Sequence, residues 1–142
     1  MTMTPKKTVL FLCTGNSCRS QMAEAIVNAR LGEKWQAFSA GTRPAGYVHP
    51  KAVQALAELG IHHSGESKHA DEFKQRDLDL VITVCDSAAE ECPIWLGTGS
   101  RIHESFPDPA QTTGSDEQVM GSFRQVRDDI LLRITAVLEG YD

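Results

Sequence analysis

The sequence has no internal repeat, no low-complexity tract and no long linker. It also has no apolar run able to cross a membrane or serve as a leader. The run at residues 9–12 is far shorter than a signal-peptide core or a span of about 20 residues. Positive charge is not in excess. The formal net charge is −5, which argues against broad binding to nucleic acid or to an anionic membrane, since both need basic faces. An anionic ligand would therefore have to be held by local positive potential against the field of the whole chain. There is no Cys-x-x-Cys pair, and the five histidines (His49, His62, His63, His69, His103) show no metal-ligand spacing. Surface or helix-flank roles are expected for all five, with His62 and His63 in a solvated turn. No resident metal is expected.

What is present fits one globular domain over residues 1–142, with 41% hydrophobic and 23% charged residues. A domain of this size buries roughly 70% of the surface of its unfolded chain, so it folds without staples. We expect a cytoplasmic monomer. In that reducing compartment the four cysteines are more readily catalytic, redox-active or metal-binding than structural disulfides.

The pattern alternates strand and helix. Residues 8–12 form a short β-rich apolar run, as in a buried parallel strand. Residues 20–31 carry Met22, Ala25, Ile26, Ala29 and Leu31 at near-helical spacing, closed by Gly32. Residues 36–40 read as a second strand. Residues 50–59 read as a helix with Val53, Leu56, Ala57 and Leu59, stopped by Gly60. Residues 79–84 are a clear third strand and residues 101–106 a weaker fourth. A last helix over residues 116–138 has Phe123, Val126, Ile130, Ile134 and Val137 as its apolar stripe. This order predicts an α/β domain with a four-stranded parallel sheet and helices on both faces. Ligands of such sheets sit at the carboxyl ends of the strands, where Cys13, Cys85 and Asp108 would gather.

The stretch from Cys13 through Thr14, Gly15, Asn16, Ser17, Cys18 and Arg19 to Ser20 joins the first strand to the first helix. A tight loop there can aim several backbone N–H groups at one point, and the helix N-terminus adds positive potential. Gly15 and Asn16 tolerate the left-handed backbone that such a nest needs. Arg19 can fork two hydrogen bonds to an oxyanion. Cys13 would lie at the focus, with its pKa expected well below the free value of about 8.5.

Cys-x5-Arg-Ser after the first strand, with Asp108-Pro109 late in the chain, resembles the low-molecular-weight protein-tyrosine phosphatase fold. More narrowly, CTGNSCRSQMAEA together with Cys85 and Cys92 resembles the thioredoxin-coupled arsenate reductases of that fold, from Val9 to about Leu138. By themselves Cys85 and Cys92 allow three readings. Zinc would want two further ligands nearby, two inert buried thiols are the plain structural reading, and a redox pair is the third. The resemblance favours the redox pair. Were residues 86–91 helical, residues seven apart would be separated by about 10.5 Å along the axis. That exceeds the roughly 7 Å between Cα atoms that a disulfide allows, so a Cys85–Cys92 bond would require such a helix to melt.

The resemblance implies roles. Cys13 attacks arsenate, Cys85 takes over from Cys13, and Cys92 resolves the bond to Cys85. Arg19 and the loop hold the oxyanion, Asp108 serves as acid, Ser20 hydrogen-bonds the Cys13 thiolate and Asn16 holds the loop shape. Thioredoxin, or another dithiol, is the implied electron donor, with no resident cofactor. Some members bind a monovalent cation behind the loop. The matching positions are Asn16, Glu24 and Ser39, but the further carboxylate aligns near His69, which counts against a cation site. Cys18 could trap Cys13 in a disulfide or pack the loop. Trp35 reads as a packing residue, and Trp95 as packing or as part of a surface that a reductant meets. Two other functions stay open. In a phosphatase, Asp108 would protonate a phenolate, although Ala110-Gln111 follow Asp108-Pro109 where the phosphatases have tyrosines. An oxyanion sensor would bind without turnover.

Overall fold

The computed structural model describes residues 5–73, 76–85 and 100–141. Four parallel strands, β1 (Lys7–Cys13), β2 (Trp35–Gly41), β3 (Leu80–Thr83) and β4 (Ser100–His103), form one sheet in the order β2-β1-β3-β4. Among the described residues the helices are α1 (Arg19–Arg30), α2 (Pro50–Ala57) and α3 (Asp116–Glu139), with 3-10 turns at Ala70–Phe73 and Pro109–Gln111. This is the expected α/β domain with a four-stranded parallel sheet.

β1 is the centre of the core. Val9, Leu10, Phe11 and Leu12 are wholly buried, because a parallel strand between two neighbours has both faces covered. The three helices pack on one another. The turn at Ala70–Phe73 lies against β2 through Phe73 and Phe38, ring centroids 5.5 Å apart.

Three helix stripes differ in detail from the sequence pattern. In α1, Ala23 and Val27 are buried and Ala29 is exposed. In α2 the small residues Ala52 and Ala55 join Leu56 in the core while Ala57 is exposed, since close approach to α3 favours small side chains. In α3 Leu138, four residues after Ile134, takes the buried place expected of Val137. α3 starts with a capping box, Ser115 and Gln118 each bonding the other's backbone. Gly60 closes the α2 region with φ +77°, a conformation open to glycine. Trp35 is buried and meets Tyr141 edge-on at 5.6 Å, as a packing residue should. Among the described residues no helix is long and apolar enough to cross a membrane.

The sheet ends position the site. Cys13 is the last residue of β1. The Val84 N–H donates to Leu12 O at 2.9 Å, and the Phe106 N–H donates to Val84 O at 3.1 Å. Cys85 and the segment leading to Asp108 are thereby held at the same carboxyl edge.

Candidate active site

The loop from Cys13 to Cys18 has every carbonyl engaged on its outer side. Cys13 O accepts from the Thr42 N–H (3.1 Å), Thr14 O from Arg43 (2.9 Å), Gly15 O from Ala45 (2.8 Å) and Ser17 O from His49 (2.9 Å). The Ser67 hydroxyl adds a second donor to Gly15 O at 3.1 Å, and the Gln21 amide donates to Asn16 O at 3.1 Å. Cys18 O accepts from Met22 as α1 begins. A peptide's N–H points opposite to its C=O, so carbonyls drawn outward turn the N–H groups inward. Among the described residues, no protein acceptor pairs with the N–H of Gly15, Asn16, Ser17, Cys18 or Arg19. Unpaired donors at a helix N-terminus form an anion-binding nest.

Asn16 fixes the loop shape, as expected. It is wholly buried with φ +49°, a left-handed conformation that asparagine adopts more readily than most residues. Its side chain donates to Ser20 Oγ at 2.9 Å and accepts from the Lys68 N–H at 2.9 Å and from Gln21 Nε2 at 3.1 Å. The Ser20 hydroxyl thus meets Asn16; a bond from Ser20 to Cys13 is not among the described contacts. Gly41 lets β2 approach this closely, because a Cβ there would lie 2.5 Å from Thr14 O and 3.1 Å from Asn16 N.

Arg19 opens α1. Its Nη1 donates to Phe106 O at 3.0 Å, and its Nη2 is 3.7 Å from Asp108 Oδ2. Its Nε is buried with no partner. A buried orphan donor on a guanidinium is costly unless a ligand satisfies it, and an oxyanion in the nest would do so. Asp108 Oδ1 accepts from the Ala110 N–H at 3.0 Å, capping the turn at Pro109–Gln111.

The sulfurs are arranged around this cradle. Cys13, Cys18 and Cys85 are buried. Thr14 Oγ1 lies 3.4 Å from Cys85 Sγ, which puts the Cys85 side chain beside Cys13. The Cys13 pKa is raised far above its ordinary value, against the sequence expectation of a lowered one. The neighbouring Cys85 side chain is the main cause and burial the next, while Arg19 and the Thr14 N–H pull the other way. The depressing groups are in place, but a second sulfur pressed on Cys13 outweighs them. Two buried sulfurs in contact cannot both carry charge. The Cys18 thiol is pushed up to about 11, chiefly by burial, as suits a packing residue rather than a nucleophile. Cys92, Trp95 and residues 86–91 lie outside the described residues, so the expectations attached to them stay as stated.

Behind the loop, Glu24 Oε1 accepts from Ser39 Oγ at 3.1 Å and lies 3.7 Å from Lys68 Nζ. His69 is apart from them, bonding the Asp71 N–H at 3.0 Å. Two of the candidate cation positions, Glu24 and Ser39, are therefore in contact, Asn16 bonds Ser20, Gln21 and the Lys68 N–H instead, and His69 stands apart. A lysine ammonium faces the carboxylate that a cation would use, so the donor set does not fit one. His62, His69 and His103 are exposed and His49 caps α2 through Nδ1, the surface and helix-flank places expected of them. His63 departs from the solvated turn predicted for it. Its side chain is only 9% exposed and bonds Gln21 Oε1 at 2.7 Å. Sequence reasoning missed residues 42–49, Gln21, His63, Ser67 and Lys68 as supports of the loop. Residues 42–49 have no periodicity, and the others act only through the fold.

The chain thus has a Cys-x5-Arg loop between strand and helix, with Cys13 ending β1 and Arg19 opening α1. Residues 8–140 match the low molecular weight phosphotyrosine protein phosphatase family, and the chain belongs to it. Within that family its similarity runs to arsenate reductases. It is 44% identical over 135 residues to the arsenate reductase of Halalkalibacterium halodurans, covering 94% of this chain and 96% of that one. It is 41% identical over 134 residues to that of Bacillus subtilis, with the same coverage. Among solved structures, an arsenate reductase from Archaeoglobus fulgidus superimposes with a TM-score of 0.76 at 31% identity, covering 92% of this chain and 98% of that one. A low molecular weight protein tyrosine phosphatase from T. tengcongensis gives 0.76 at 26% identity, covering 96% and 100%.

Proposed function

We propose that this chain reduces arsenate to arsenite through a relay of Cys13, Cys85 and Cys92. One observation carries the reading: Cys85 lies beside the oxyanion loop, its Sγ 3.4 Å from Thr14 Oγ1, and close enough to Cys13 to perturb its ionisation. A phosphatase of this fold needs the cradle and an acid but no second thiol on its nucleophile. The similarity to arsenate reductases over nearly the whole chain points the same way.

Arsenate is a tetrahedral oxyanion close to phosphate in shape and charge. It would dock on the free N–H groups of the loop and on Arg19, filling the place of the orphan Nε. When the oxyanion enters and the Cys13–Cys85 contact opens, the proton that the pair holds can leave and Cys13 becomes a thiolate. The thiolate attacks arsenic, forming a Cys13–arsenic bond, and water departs with a proton that we assign to Asp108. The Cys85 thiolate then attacks Cys13 Sγ. A Cys13–Cys85 disulfide forms, the sulfur–arsenic bond breaks, and its electron pair leaves with arsenic as arsenite. Cys92 attacks Cys85, releases Cys13 as thiolate and leaves a Cys85–Cys92 disulfide. An external dithiol, thioredoxin in this proposal, reduces that bond, so no resident cofactor is required. Lys68 beside Glu24 supplies positive charge behind the loop without a monovalent cation. In this reading the chain works as a monomer in the reducing cytoplasm, where dithiol donors are available.

The test is coupled turnover with an arsenate substrate and single cysteine variants, set against hydrolysis of an aryl phosphate. Arsenate-driven turnover that needs all three cysteines supports the relay. Cys13-dependent, Cys85-independent hydrolysis without arsenate turnover would make the chain a phosphatase.

A further inference from the structure

His63 and Gly65 form a support for the oxyanion loop that acts at one remove. Gln21 is wholly buried at the start of α1, with its amide nitrogen surrounded by acceptors: Asn16 O at 3.1 Å, Asn16 Oδ1 at 3.1 Å and Glu66 O at 2.9 Å. Three acceptors around one NH2 settle which end of the amide is nitrogen, so Gln21 Oε1 faces His63 Nε2 at 2.7 Å. A carbonyl oxygen only accepts, and the imidazole must therefore carry its proton on Nε2 and donate. The carboxylate of Glu24, 3.9 Å from the same nitrogen, favours that tautomer. Burial is the main reason the His63 pKa is lowered, with Lys68 acting in the same direction and Glu24 against it. The ring is thus neutral near pH 7, with a single proton placed on the donating nitrogen.

Gly65 is the second, independent observation. A Cβ at this position would fall closer than 3.0 Å to His63 Nε2, His63 Cε1 and Gln21 Oε1, that is, onto the hydrogen bond itself. The contact exists because residue 65 has no side chain. The bond sits at the end of a chain of partners, His63 to Gln21 to Asn16, and Asn16 is the one non-glycine residue with positive φ among those described.

We propose that His63 is a positioning residue for the oxyanion site: through Gln21 it holds Asn16 in its left-handed conformation and so keeps the loop N–H groups convergent. The inference rests on the cradle reading above, but not on the redox relay. Without the donor, the Gln21 amide is free to rotate, Asn16 loses its two Gln21 bonds, and the anion must bear the cost of ordering the loop.

The experiment is equilibrium binding of inorganic phosphate to the reduced full chain at pH 7, read by titration calorimetry. It compares the wild type with His63→Leu, His63→Gln, Gly65→Ala and the Gly65→Ala/His63→Leu pair. The wild type binds phosphate; failure of the wild type to bind would overturn the cradle reading itself. His63→Leu and Gly65→Ala each weaken binding about tenfold, the scale of one lost buried hydrogen bond. His63→Gln, whose amide nitrogen donates from a similar reach, stays within about threefold of wild type on the same scale. The double variant loses no more than either single one, because both break one bond. Wild-type affinity in His63→Leu or Gly65→Ala, or no rescue by His63→Gln, overturns the inference, as does a fall in melting temperature with unchanged affinity. Should His63→Leu not fold, Gly65→Ala and His63→Gln decide the matter on the same criteria.

Discussion

Thr14 and Cys85, far apart in sequence, meet at the carboxyl edge of the sheet with Oγ1 3.4 Å from Sγ, and this sets the Cys85 sulfur beside its neighbour in the loop, Cys13. The same contact that suits a sulfur-to-sulfur transfer suppresses the charge on the nucleophile. Removing Cys85 should therefore release Cys13. In Cys85→Ala, alkylation of Cys13 by iodoacetamide should show its inflection at lower pH than in wild type, and at pH 7 it should run faster. The sign follows from the cause: a raised pKa leaves less thiolate at a given pH, and the partner responsible is gone. Mass-spectrometric following of the Cys13 peptide checks this. An inflection unchanged or moved upward would contradict it.

Asn16 joins an unusual backbone angle to a buried side chain with several partners. Asn16→Ala should lose about 2 kcal/mol in urea unfolding, since both the left-handed backbone and the lost hydrogen bonds contribute. Asn16→Gly should lose less, because glycine adopts the angle freely. Equal losses would mean that the backbone angle contributes nothing.

His49 caps α2 by accepting the Lys51 N–H on Nδ1 at 3.1 Å, and its ring lies 4.7 Å from that of Phe123. Its pKa is lowered, first by burial and then by Lys51, with Asp108 opposing. A base with a lowered folded-state pKa binds its proton more readily when unfolded. The stability it contributes is present above the unfolded value of about 6.5 and is lost as pH falls through it. Protonation also removes the lone pair that caps the helix. His49→Asn keeps a good cap without titrating, so it should match wild type near pH 7 and lose less stability between pH 7 and pH 5. His49→Ala should lose about 1 kcal/mol at pH 7. Acid sensitivity remaining in His49→Asn belongs in part to His63, whose pKa is lowered too. Urea midpoints across that range decide it; an unchanged slope in His49→Asn would contradict the assignment.

Arg19 donates to Phe106 O and keeps a buried Nε without a partner, which the proposed anion would satisfy. Arg19→Lys keeps the charge but not the fork. Its kcat/KM for arsenate should fall about 10²- to 10³-fold, the scale of losing one preorganised donor to a developing oxyanion. Far-UV circular dichroism should stay that of the wild type. A change under threefold would show that charge alone suffices.

Much of this was legible in the sequence. The run from Lys7 to Cys13, the glycine and asparagine of the loop and Arg19 carry local signals, and the alternation of strands with helices forces Cys13, Cys85 and Asp108 to one edge. The supports of the loop were not legible. Thr42, Arg43, Ala45 and His49 act through backbone N–H groups, which any residue but proline supplies, so their side chains say nothing of it. His63 sits between polar neighbours and reads as solvated; only the missing side chain of Gly65 makes room for its bond to Gln21. The raised pKa of Cys13 was missed for a related reason. Loop, arginine and helix are local and all depress it, whereas the sulfur that reverses the direction arrives from β3.

The central claim is a relay of three thiols, and steady-state NADPH oxidation with thioredoxin, thioredoxin reductase and arsenate tests it most directly. Wild type should turn over, and Cys13→Ser, Cys85→Ser and Cys92→Ser should each fall to background. A Cys85→Ser or Cys92→Ser variant that still turns over at the wild-type rate, or a wild type inert to arsenate that hydrolyses an aryl phosphate, would contradict the account.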